Sequence, residues 1–236
     1  LTELQTSPSV GRTGFWGLIA AAILTVVLWQ IPGGNYILYP CTILATWFHE
    51  MAHGLAAVLM GGHFAKLLIF SDGSGVAYYS GPLFLEPIGR AIVAAAGPMG
   101  PPLAGAALIL ASRSLKAASL SLKVLGIFLL ISAVVWVRSP FGLVAVAILG
   151  VVLLGIAFKT SARIEGLAVQ FLGVQACVST YRQIDYLFSY SAGPLGISDT
   201  AQIQQILLLP YWFWGGLMAL SSFVILLLSL RIAYRS

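Results

Sequence analysis

His49 and His53, with Glu50 between them, form an H-E-x-x-H run within Phe48-His49-Glu50-Met51-Ala52-His53-Gly54. On a helix, residues four apart share a face, so the two imidazoles would project side by side into one space. Neutral imidazoles at that spacing are a ligand pair for zinc, and the intervening glutamate is the usual general base. With three histidines in 236 residues, the run is not a product of abundance. Its setting is unusual as well. No charged residue separates Arg12 from Glu50, so the motif closes a long lipid-compatible stretch. Ionisable groups in such a stretch are costly and mark function by default. The plainer reading is a helical histidine pair that binds nothing.

A catalytic zinc takes three protein ligands plus a water, and two histidines leave it one short. The acids that follow the motif are Asp72, Glu86, Glu165, Asp185 and Asp199. Asp185 and Asp199 lie between the last two apolar runs, and residue chemistry does not choose between them. Asp199, after Ile197-Ser198, also has the look of a helix N-cap. Asp185 sits three residues from Arg182 and could simply pair with it.

The elements that must position these groups are membrane helices. Hydrophobic residues make up 59% and charged residues 8% of the chain, and its mean hydropathy is +0.97. Soluble domains carry about 25% charged residues. The net charge of +5 is spread over short loops, as headgroup-facing flanks would be. No basic cluster interleaved with aromatics occurs, which argues against nucleic-acid binding. Cys41 and Cys177 fall in apolar stretches and read as small hydrophobes, and no C-x-x-C suggests thiolate zinc binding.

Residues 1–13 read as a polar tail, and 14–236 as one transmembrane domain. Apolar runs at 14–31, 36–60, 91–112, 116–138, 139–158, 166–181 and 206–230 predict an all-α polytopic membrane protein with six or seven transmembrane helices. The first run reads as a retained span, and 166–181 is borderline in length. Charge bias leaves the orientation open. The loop 61–86 after the second helix carries two β-prone runs, 64–70 and 76–79, around Asp72-Gly73 and Ser74-Gly75, which predict a small β-hairpin. An exposed strand edge beside a metal site could hold an extended peptide, with Gly73, Ser74, Gly75 and Val76 as substrate-binding candidates. The alternative is a connecting hairpin. His63 reads as interfacial, and Glu86 with Arg90 as a helix-start ion pair. In 91–112, the run Ala96-Gly97-Pro98-Met99-Gly100-Pro101-Pro102 predicts a kinked or broken helix packed against the metal site.

At this point the chain resembles the site-2 protease family of intramembrane zinc metalloproteases, especially its compact bacterial branch without a PDZ domain. The resemblance rests on four features in order. They are His49-Glu50-Met51-Ala52-His53 ending an apolar run, the hairpin with Gly73-Ser74-Gly75, Ala96-Gly97-Pro98 in the next span, and Ser198-Asp199 before the last one. It implies Zn2+ held by His49, His53 and a distal aspartate, with Glu50 activating the water. The Asn-Pro…Leu-Asp-Gly motif of the better-known branch is absent. The Ser198-Asp199 context favours Asp199, with Asp185 as runner-up. The implied activity is a zinc metalloendopeptidase that cleaves transmembrane segments of membrane proteins within the bacterial cell membrane. The rival is a zinc-binding scaffold or carrier. A carrier would spread ligands along several helices, and a scaffold would be free to lose Glu50.

Overall fold

The computed structural model describes residues 19, 22–28 and 30–234. The expected tail 1–13 and part of the first expected span, 14–31, lie outside them; residues 22–28 are helical. The main elements are α1 (Tyr39–Leu59), β1 (His63–Ile69), β2 (Gly75–Ser80), α2 (Ile88–Ala111), α3 (Leu115–Val135), α4 (Pro140–Lys159), α5 (Ala162–Arg182), α6 (Asp199–Leu207) and α7 (Tyr211–Ala233). The fold is mostly helical, with a two-stranded antiparallel sheet after α1, as the hairpin signals predict.

Among the described residues, four helices, α2, α3, α4 and α7, are long and apolar enough to cross a membrane. The expectation of six or seven is therefore met in part. The runs at 36–60 and 166–181 do form helices, α1 and α5, each of 21 residues. Both carry polar side chains that lower their hydropathy, and apart from Arg163 and Arg182 near the ends of α5 the main ones are inside: His49, Glu50, Glu165, Gln170 and Gln175 are all buried. The apolar windows of α4 and α7, by contrast, are 28% and 17% buried. Polar helices surrounded by protein need no lipid-compatible surface, so hydropathy counts the periphery and misses the centre.

Two expectations need correction. Of the kink or break expected in the proline-rich stretch, the break is absent: α2 runs uninterrupted through Pro98, Pro101 and Pro102, and it packs against the candidate site as expected. All three rings are buried, and carbonyls freed by proline are tolerated at membrane depth where they face protein. The last span does not start at 206 either. α6 ends at Leu207, Leu208 takes a left-handed φ of 64°, and α7 begins after Pro210. Proline has no N–H to continue the ladder, and the Gln204 Oε1 instead accepts from the Tyr211 N–H at 2.7 Å.

Packing brings the site helices together at close range. A Cβ on Gly100 of α2 would meet the Ala52 Cβ at 2.6 Å and the Phe48 carbonyl oxygen at 2.7 Å, so α2 lies directly on α1. On the same helix, a Cβ on Gly105 would meet the Gly173 carbonyl oxygen at 2.5 Å, which brings the backbones of α2 and α5 into contact. On the other flank, the buried Trp47 Nε1 donates to Ser132 Oγ at 2.9 Å and ties α1 to α3. Cys41 and Cys177 are free thiols.

The α2–α5 contact generates a test. Gly105→Val should lower stability in detergent by about 1–3 kcal/mol or more, as overpacking does, and thermal unfolding measures it. An unchanged midpoint would mean the helices cross elsewhere.

Candidate metal centre

One face of α1 delivers His49 and His53, whose ring centroids are 4.9 Å apart. Asp199 reaches them from the first turn of α6, 150 residues away from His49 in the chain. Its Oδ2 lies 3.0 Å from His49 Nε2 and its Oδ1 3.3 Å from His53 Nε2. His49 and Asp199 are buried, and the His53 side chain is 11% exposed. The candidate ligand atoms of the three residues all lie within 4.8 Å of one another. Ligands on tetrahedral zinc, with bonds of about 2.0–2.1 Å, sit roughly 3.3 Å apart, so the spacing suits that ion.

A hydrogen-bonding argument points the same way. His53 Nδ1 lies 2.7 Å from the Val93 carbonyl oxygen, which can only accept. The Nδ1 must therefore carry the hydrogen, and in the neutral ring Nε2 presents a lone pair. That lone pair faces a carboxylate oxygen, and two acceptors at 3.3 Å need a cation between them, a proton or a metal. Orientation of a ligand imidazole by a backbone carbonyl is a recurrent feature of zinc sites. The donor set fits a zinc ion.

Asp199 is free for this task because it is not the cap. Ser198 is the N-cap of α6, its Oγ accepting from the Ala201 N–H at 3.2 Å. Asp199 is instead the first helical residue, with Tyr186 OH donating to its Oδ2 at 3.0 Å. Asp185 is exposed on the short helix Ile184–Leu187 and lies outside the trio. The pairing of Arg182 with Asp185 is not observed; the guanidinium donates to Thr42 Oγ1 at 2.8 Å and Asn35 Oδ1 at 3.3 Å. His63 opens β1, exposed and apart from the trio. Glu86 and Arg90 do pair, at 2.8 Å.

The three residues and Glu50 line a cavity of about 440 Å³. Its opposite wall is the hairpin, including Gly73, Ser74, Gly75, Val76 and Ala77. Tyr39 OH donates to the Ser71 carbonyl at 2.7 Å and Thr46 Oγ1 to the Gly73 carbonyl at 2.6 Å, which pins the hairpin tip on α1. At that exposed tip, Ser74 Oγ and N–H both donate to Asp72 Oδ1 and hold its carboxyl below the ordinary range. A Cβ on Gly75 would fall 2.8 Å from Glu50 Cγ, so β2 lies against the face of α1 that bears Glu50.

The two edges of the hairpin differ. The outer edge of β1 is occupied: the Leu67 N–H donates to the Trp136 carbonyl at 2.8 Å, and the Arg138 N–H to the Leu67 carbonyl at 2.9 Å. Ser139 Oγ accepts from the Ile69 N–H at 2.9 Å and donates to the Ile69 carbonyl at 2.8 Å. Leu67 and Ile69 thus point their backbone groups away from β2. Their partners in the antiparallel register, Ala77 and Gly75, must then point theirs away from β1, toward the cavity. This edge faces the candidate metal centre, and the Ala77 N–H lies within hydrogen-bonding reach of the Glu50 carboxylate. Neither Tyr186 nor this edge asymmetry carries a signal in the sequence, because both depend on contacts between distant segments.

A family model described as peptidase M50B-like matches residues 18–229. The chain belongs to this family. M50B-like peptidases are a site-2 protease family, so the resemblance drawn from the motifs is shown at the family level. No curated protein matches the chain, and no solved structure does. Family membership together with the four apolar helices makes this M50B-like chain an integral membrane protein.

The bare Cα of Gly97 tests the metal assignment. A Cβ there would fall 2.1 Å from His53 Nε2 and 2.7 Å from His49 Nε2. Imidazole ends can swing aside, so Gly97→Ala should fold and yet lose zinc affinity by about 100-fold or more, beyond the cost of an ordinary outer-shell change. Chelator competition measures it. Wild-type affinity in that variant would remove the site from this corner of the cavity.

Proposed function

We propose that this M50B-like chain is a zinc-dependent intramembrane endopeptidase that cleaves transmembrane segments of membrane proteins, in a bacterial cell membrane. The observation that carries the reading is one cavity lined by the His49, His53 and Asp199 cluster, by Glu50 and by the β2 edge of the hairpin. In this reading α1 and α5 cross the membrane with the four apolar helices, their polar side chains sheltered by protein.

His49, His53 and Asp199 would hold the zinc, which supplies a Lewis acid for the scissile carbonyl and acidifies a water. Glu50, beside the ligands on the same helix, takes the proton of the attacking water and delivers it to the leaving amine. Gly75 and Ala77 carry N–H and C=O groups two residues apart, the repeat of an added strand, and a substrate strand would take the Ala77 N–H over from Glu50. A helical substrate has no free backbone groups, so it must unwind locally before it can lie on that edge. The hairpin is then part of the substrate site and not a connector.

Two experiments test this. Glu50→Gln should retain zinc and fold while cleavage of a model transmembrane substrate falls by about 10²–10⁴-fold, the usual contribution of a general base. Full activity would refute the mechanism, and no cleavage by the wild type with zinc bound would favour the scaffold or carrier. The second test uses substrate peptides N-methylated one residue at a time near the cut. Strand addition predicts losses that alternate with a period of two residues; uniform tolerance would reduce the hairpin to a connector.

A further inference from the structure

We infer that Tyr186 is the positioning residue of the metal centre, holding the Asp199 carboxylate in the one orientation that serves both histidines. The inference rests on the zinc reading above and concerns how the third ligand is aimed. The Tyr186 hydroxyl makes two bonds to the same residue. It accepts from the Asp199 N–H at 3.2 Å and donates to Asp199 Oδ2 at 3.0 Å. A phenol has one hydrogen, so the backbone contact leaves that hydrogen for the carboxylate. Oδ2 then has one lone pair toward Tyr186 and another toward His49 Nε2, 3.0 Å away. Oδ1 is left to face His53, with Gln202 Nε2 at a longer 3.4 Å.

The segment bearing Tyr186 is fastened to the segment bearing Asp199. Thr200 Oγ1 donates to the Leu187 carbonyl at 3.1 Å, Ser198 Oγ to the Ser189 carbonyl at 2.5 Å, and the Ser198 N–H to the Tyr190 carbonyl at 3.0 Å. Behind them, a Cβ on Gly215 would meet the Leu187 carbonyl oxygen at 2.3 Å, so α7 presses on the same turn. Tyr186 itself lines the cavity, with its ring centroid 6.2 Å from that of His49. A carboxylate at the start of a helix turns freely about its last side-chain bond unless something outside holds it. In this chain the hydroxyl does so, bonding the same Oδ2 that faces His49.

Tyr186→Phe removes that single hydrogen-bonding oxygen and keeps the ring. In the full-length protein, zinc affinity by chelator competition should fall about 10–100-fold, the usual cost of losing an outer-shell partner. The visible spectrum of the cobalt-substituted protein should change, because the ligand field follows the carboxylate's orientation. Cleavage should recover once zinc is saturating. Tyr190→Phe, whose hydroxyl accepts from Gln205 at 3.2 Å away from the trio, is the control and should keep wild-type affinity and spectrum. If Tyr186→Phe folds poorly, the cobalt spectrum of the monodisperse fraction still gives the result. Unchanged affinity and spectrum overturn the inference. So does lost cleavage at saturating zinc with affinity intact, which would make the hydroxyl a donor to the reacting carbonyl. A wild type that binds neither zinc nor cobalt overturns the zinc reading itself, a result distinct from either.

Discussion

The structure depends on bringing a carboxylate against two imidazoles inside an apolar molecule. Taken alone, each of these groups is costly to bury, and in lipid the cost rises further. Together they form a site whose acceptor atoms converge on one point, with a backbone carbonyl and a phenol holding the ring and the carboxylate from outside. Everything that packs around α1 follows from that requirement. α2 needs Gly97 and Gly100 to approach closely, and α6 needs Ser198 as its cap so that Asp199 is released for the site.

The same requirement explains the distribution of polarity. α1 and α5 carry the buried polar groups, while α4 and α7 are the least buried of the four apolar helices. A soluble protein puts polar residues outside; in this chain His49, Glu50 and Gln175 line the cavity, Glu165 and Gln170 are buried away from it, and the apolar helices provide the lipid-facing shell. The sheet obeys a related constraint. A free strand edge in an apolar environment is a liability, and one edge is closed by Trp136, Arg138 and Ser139. The other edge borders the polar cavity, where the Glu50 carboxylate meets the Ala77 N–H and water or an extended peptide can satisfy the remaining groups.

Much of this was legible in the residues. His49, Glu50 and His53 stand out because a helical period places them and because charge is scarce around them. The hairpin was legible from its Asp-Gly and Ser-Gly turn pairs, with boundaries within a residue of those observed. Asp199 was one of two acids in the right interval; its choice over Asp185 as the neighbour of the histidines is a matter of tertiary geometry that no local pattern encodes. Tyr186 was invisible for the same reason. Pro210 was a local signal that should have ended the helix before the final span. The prolines of α2 misled in the other direction, since their effect depends on whether the freed carbonyls meet protein. Hydropathy recovers the outer helices and undercounts the inner ones, because burial by protein relaxes the demand for apolar surface.

X-ray absorption at the zinc edge, on protein purified in detergent, tests the central claim most directly. The account predicts one zinc per chain with two imidazole nitrogens and two oxygens at about 2.0–2.1 Å. A chain that purifies without zinc, or with a first shell lacking imidazole scattering, would contradict it.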